Sequence, residues 1–159
     1  MSKSNFERML QLADEVFAVK NDPEQLDINQ EVLERLMRIH PATVIEYDDG
    51  NGPVAWILLF PTTLDLMQQF LNAVISEKQL FDLTPLAIKH EALYLCSALV
   101  LEEYRRKGIA KRLTLQAIEK IRKDHPLKAL FLWTFSKEGD LGAEALARST
   151  SLPLYKRPK

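Results

Sequence analysis

Two stretches of the chain, residues 91–101 (EALYLCSALVL) and 128–135 (KALFLWTF), are apolar almost without interruption. A strand with one wet face alternates apolar and polar residues. These two do not, so both read as central strands covered on both sides. Between them Ile109, Leu113, Leu115, Ile118 and Ile121 recur at helical spacing. His125-Pro126 stops that helix, because the residue before a proline avoids the helical region. Strand, helix, strand in this order belongs to an α/β layer architecture.

The remaining segments fit the same scheme. Ser4 followed by Glu7 predicts a capped helix start, and Phe6, Met9, Leu10, Ala13, Val16 and Phe17 form its apolar stripe. Asp22, Pro23 and Gln25 predict a second start, with Val32, Leu33, Leu36, Met37 and Ile39 as the stripe and His40-Pro41 as the stop. Two β-rich runs around DDGNG predict a hairpin over residues 42–60. Pro61 and Thr62-Thr63 lead into a helix whose buried face is Leu64, Met67, Phe70, Leu71, Val74 and Ile75. A short helix is expected from Asp140 to Ser149, and residues 152–159 form a last strand or tail. With no repeat or linker, the 159 residues read as one α/β domain over 1–159, with a mixed, mostly antiparallel sheet flanked by helices.

Composition narrows the function classes. A net charge of −1 argues against a dedicated nucleic-acid binder. The single cysteine, Cys96, allows no internal disulfide and points to a reducing, cytoplasmic setting. MSKSNFERML lacks the apolar core of a signal peptide, and the longest apolar run, residues 54–60, is too short for a membrane span. His40, His90 and His125 stand far apart in sequence, so no metal site is expected.

The chemistry concentrates in LEEYRRKGIAKRL, residues 101–113. Arg105, Arg106 and Lys107 stand at the mouth of a helix, where the macrodipole is already positive and cations are unfavourable. An anionic ligand would compensate. The first N–H groups of a helix lack internal partners and bind phosphate. Gly108 lets a ligand approach the backbone, small Ala110 keeps the turn open, and the cations add charge-assisted contacts. The competing reading is a solvated patch offset by Glu102, Glu103 and Glu119. The stretch matches neither the GxxxxGK[ST] nor the GxGxxG phosphate loop.

This stretch resembles motif A of the GNAT family of N-acetyltransferases, [QR]-x-x-G-x-[GA], here Arg105-x-x-Gly108-x-Ala110. The likeness covers residues 92–155, with its core at 92–123. The helical segment 62–82 looks like an insertion. The resemblance implies an acyl-CoA N-acyltransferase fold with acetyl-CoA as co-substrate and no metal. Its diphosphate would lie on the amides from Arg106 through Lys111, that is Arg106, Lys107, Gly108, Ile109, Ala110 and Lys111, beside Arg105. Leu99, Val100 and Leu101 would pair with the pantetheine arm. The strand would splay from its neighbour near Leu101, and an N–H near Leu99 or Leu101 would hold the oxyanion.

The match thins toward catalysis. Arg106 stands where the family often has a second glycine. Ser136 replaces a frequent Asn, and Ala147 stands near the place of a frequent helix tyrosine. Ser136 and Tyr155 remain as hydroxyl carriers for an acid, against a capping serine and a packing tyrosine. Glu103 is the acid of the loop named as a base, against an ordinary surface carboxylate. Cys96 reads as a small buried residue and not a nucleophile. His40 and His125 sit at helix ends where a cation favours the dipole. Trp56, Trp133 and Phe135 are groove aromatics or core.

The expected function is acyl transfer from acetyl-CoA to a primary amine on a small molecule or protein, with a homodimer admitted, and neither nucleic acid nor membrane as partner. The alternative is a noncatalytic acyl-CoA-binding module on the same scaffold. An RNA-binding domain is the third reading, and the charge counts against it.

Overall fold

The computed structural model describes residues 4–20, 26, 29–134 and 136–158, without the side chains of 16–20. Six helices and five strands are found among them: α1 (Asn5–Lys20), α2 (Gln30–Ile39), β1 (Val44–Asp48), β2 (Pro53–Thr62), α3 (Leu64–Leu71), α4 (Glu77–Leu83), β3 (Ala92–Val100), α5 (Ile109–Asp124), β4 (Ala129–Trp133), α6 (Lys137–Thr150) and β5 (Leu154–Arg157). The strands form one sheet in chain order. β1–β2 and β2–β3 are antiparallel and carry the long ladders; β3–β4 and β4–β5 are parallel.

Both apolar runs are central strands, as their composition requires. Phe60, Tyr94, Phe131 and Trp133 point to one face and pack with Leu36 and Ile39 of α2 and with Leu66, Met67, Phe70, Leu80 and Phe81 of α3 and α4. Ile57, Leu59, Leu93 and Leu130 point to the other and pack with Ala117, Ile118 and Ile121 of α5 and Leu146 of α6. A third cluster, Met9, Val54, Leu99 and Leu101, seats α1 on the hairpin end of the sheet. No helix of the described residues is long and apolar enough to cross a membrane.

Several elements differ from expectation for local reasons. In α1, Met9 is fully buried and Leu12 and Ala13 pack beside Val54, while Phe6 and Leu10 are exposed. Ser4 Oγ does accept from Glu7 N–H at 3.2 Å. Helix α2 is capped by Asn29, whose side chain accepts from Val32 N–H; the expected start at Asp22 lies outside the described residues. The segment after Thr63 is two helices, because Ala73 turns left-handed (φ 57) and leaves Val74 exposed. Helix α6 begins earlier than Asp140, since Ser136 caps it by accepting from Gly139 N–H at 3.0 Å. The C-terminal segment is a strand beside β4.

Candidate functional site

The basic turn lies between a 3₁₀ turn (Glu102–Tyr104) and α5. Arg105 is extended (φ −72, ψ 155), Arg106 is left-handed (φ 64) and Gly108 is left-handed (φ 75, ψ 10). Arg106 thus adopts the conformation that a glycine adopts freely and other residues at a cost of about 1–2 kcal/mol. Gly108 occupies the N-cap of α5 with no side chain to satisfy it. The first helical bond runs from Arg112 N–H to Gly108 O at 2.9 Å. The amides of Ile109, Ala110 and Lys111 therefore precede the helix's own hydrogen bonding. A Cβ built on Gly108 would meet nothing within 4 Å. Arg105, Arg106, Lys107 and Lys111 are all exposed around this opening. A row of helix-start N–H groups ringed by cations can receive an anion.

Long-range contacts fix the turn in place. Arg8 of α1 grips Glu103 with two parallel bonds, Nη1–Oε2 at 2.7 Å and Nη2–Oε1 at 2.5 Å. Tyr104 Oη donates to Asp49 of the β1–β2 turn. Lys107 Nζ lies 5.4 Å from the centre of the Tyr104 ring. Arg105 Nε donates to Val100 O at 2.9 Å. Arg8 and Asp49 are the residues that sequence reasoning missed, and their distance along the chain explains why.

The strand before the turn departs from its neighbour early. β3 pairs with β4 only through Ala92, Leu93 and Tyr94. Opposite β2, Ser97 pairs with Leu58 and Leu95 with Leu59, so half-buried Cys96 is the extra residue of a β-bulge. The splay thus starts after Tyr94, well before the expected Leu101. β4 instead continues along β5, through Leu132 and Trp133 to Lys156 and Arg157. A seam opens between residues 96–100 of β3 and the end of β4. Its closed end is anchored by Tyr94, fully buried, whose Oη donates to Glu77 Oε2 at 2.5 Å while Glu77 Oε1 accepts from Leu26 N–H at 2.7 Å. Burial, with the Glu77 charge, raises the Tyr94 phenol well above its ordinary value, so it stays a donor.

The ladder also decides which backbone groups face this seam. Leu101 N–H donates to Val54 O at 2.9 Å. Amide direction alternates along an antiparallel strand, so Leu99, paired with Trp56, also faces β2. Neither N–H is placed for an oxyanion. Ala98 and Val100 face the seam, and the Arg105–Val100 contact confirms that direction.

The catalytic candidates are not brought together. The bidentate bond to Arg8 holds the Glu103 carboxyl down to about 2, which makes it a poor base at neutral pH. Ser136 Oγ is the cap of α6. Tyr155 is 43% exposed and is the register partner of Phe131, so β4 stands between it and β3. Trp56 Nε1 donates to Glu46 on the outer hairpin, and Trp133 packs in the core under the Arg157 guanidinium at 4.6 Å. Phe135 lies outside the described residues. Among the described residues, no group of three or more His, Cys, Asp or Glu could hold a metal ion.

The sequence as a whole settles the family. The model of the acetyltransferase (GNAT) family matches residues 6–149, nearly the full chain. The chain belongs to the GNAT family. No curated protein sequence matches it significantly. Family membership brings acyl-CoA-dependent N-acyltransfer as the activity class.

Proposed function

We propose that the protein transfers an acetyl group from acetyl-CoA to a primary amine of a small molecule or a protein. When bound, acetyl-CoA supplies an activated thioester that can pass its acyl group directly to an amine. The chain's own part is to bind and orient. The amides of Ile109, Ala110 and Lys111 take the diphosphate with Arg106 and Lys107 beside it. The seam-facing amides of Ala98 and Val100 hold the arm and are the donors available to a developing oxyanion. The observation that carries this proposal is the left-handed Arg106–Gly108 turn feeding an uncapped helix directly after a strand that has parted from its neighbour.

A noncatalytic acyl-CoA-binding module is the second reading. It is favoured by the engagement of Glu103 with Arg8 and of Ser136 with Gly139. One experiment separates them: incubation with acetyl-CoA and a panel of amines, following free thiol and thermal stability together. At ~100 times its dissociation constant the ligand adds about 2.7 kcal/mol, roughly a 5–10 °C rise in melting point at this size. Amine-dependent thiol release supports transfer. Stabilisation without release supports the binding module. No stabilisation refutes both.

A further inference from the structure

Among the cations of the turn, Arg105 has a distinct task. Its Nε–H donates to Val100 O at 2.9 Å. That carbonyl ends β3 and faces the seam, because the neighbouring Leu101 N–H is committed to Val54 on the opposite side. Up to Tyr94 the seam-facing groups of β3 are answered by β4; on that side of Val100 no strand of the described residues pairs with β3, and the guanidinium takes that place. The same side chain stands one residue before left-handed Arg106 and three before Gly108, at the edge of the anion cradle.

We propose that Arg105 is a latch between the two halves of the acyl-CoA site. In the free protein it occupies the Val100 carbonyl. A bound diphosphate draws the guanidinium away and releases that carbonyl to an amide N–H of the pantetheine arm. The inference rests on the acyl-CoA reading. Its physical basis is a competition between two acceptors. The Val100 carbonyl is neutral and solvent-accessible, so its bond to Arg105 is easily exchanged. A diphosphate is anionic, and its bonds to a guanidinium are charge-assisted and stronger. The guanidinium has five N–H donors and the latch engages one, so it can swing without losing its means of binding. The nucleotide half and the arm then assist one another, because the first removes the group that blocks the second. By linkage the effect is reciprocal.

The test uses the full chain and two fragments, 3′-phosphoadenosine 5′-diphosphate for the nucleotide half and S-acetylpantetheine for the arm, with titration by calorimetry or NMR. In the wild type, saturating nucleotide fragment should tighten S-acetylpantetheine by about fivefold or more, the low end of ordinary coupling between sites. In Arg105→Ala, S-acetylpantetheine should bind more tightly than to the wild type even alone, and the coupling should vanish. Arg105→Lys keeps the charge but lacks an Nε–H at that position. It should retain the nucleotide fragment's affinity and lose the coupling, and it covers the case in which the alanine variant fails to fold. The Arg105 Nε–H resonance should shift on adding the nucleotide fragment alone. Coupling near unity in the wild type, or equal arm affinity in wild type and both variants, overturns the latch while leaving acyl-CoA binding in place. If intact CoA does not bind the wild type, the acyl-CoA reading itself fails, and the latch with it.

Discussion

At its C-terminal end α5 stops on His125, whose N–H donates to Ile121 O at 2.9 Å and whose Nδ1 accepts from His90 N–H at 3.0 Å. Asp124 O is met by Lys89 Nζ at 2.8 Å, and Asp124 itself accepts from His40 Nε2 at 2.7 Å. At its N-terminal end the same helix starts on Gly108, with no cap side chain and with Lys111 and Arg112 in its first turn. One end meets the Ile121 and Asp124 carbonyls with donors from this chain. The other carries backbone strain, an open row of amides and charge of the wrong sign for the dipole. Stability alone explains the first end. The second is poorly suited to stability, and a ligand of opposite charge would offset its charge.

The comparison breaks most visibly at Gly108. Gly108→Asp places a Cβ into open space, so no clash follows. The left-handed backbone costs about 1 kcal/mol, offset by about 0.3–1 kcal/mol from an acid at a helix start. Thermal stability without ligand should therefore change little. The carboxylate would face the diphosphate, and acetyl-CoA affinity should fall tenfold to a hundredfold. Gly108→Asn carries the same backbone demand without the charge and should lose much less. Calorimetric titration showing wild-type affinity in the aspartate variant would remove the phosphate site from this end of α5.

The other end should respond to pH instead. His90 and His125 stack at 5.1 Å, with His40 edge-on at 5.9 Å. Burial, with the nearby histidines, holds His125 down to about 4 from its ordinary 6.5, and burial lowers His90 as well. His125 therefore stays neutral at physiological pH and does not serve the dipole as a cation, contrary to the expectation from its place at a helix end. Below pH 6.5 the unfolded chain takes up protons that the fold refuses. Stability should fall as pH drops from about 6.5 toward 4, by up to about 1.4 kcal/mol per unit for each such group, and level off once the folded His125 protonates. Asp124 is held below its ordinary 3.8 by the His40 bond, so its contribution is lost only under more acidic conditions. His125→Asn retains an acceptor for His90 N–H and removes the titration. Denaturant unfolding at several pH values should show a shallower slope in the variant. An equal slope would place the acid sensitivity elsewhere.

The two ends were also unequally legible. β3, the turn, α5 and β4 follow from continuous apolarity, helical periodicity and His125-Pro126, all local signals. The cradle was read from charge and one glycine. What stayed hidden depends on pairing between distant segments. The start of the splay is set by the Cys96 bulge, a matter of register against β2. The fate of Glu103 is set by Arg8, 95 residues away. Three histidines spread along the chain meet because α2, α5 and the start of β3 converge. Composition carries none of that. Nor does it show that Arg106, at a position where the family often has glycine, takes a glycine's backbone.

That residue gives the smallest and most discriminating prediction. A non-glycine residue in the left-handed region costs about 1–2 kcal/mol, while glycine costs roughly 0.5–1 kcal/mol in added unfolded-state freedom. Arg106→Gly should therefore stabilise the unliganded protein by about 0.5–1 kcal/mol. The same change deletes a cation beside the proposed diphosphate, so acetyl-CoA affinity should fall severalfold and depend less on salt. A rise in melting point paired with weaker, less salt-sensitive binding would mean that the arginine is kept for its charge at the expense of the fold. A stabilised variant with unchanged affinity would instead make Arg106 a strained residue without a ligand to justify it, and the cradle would have to work through the amides of α5 alone.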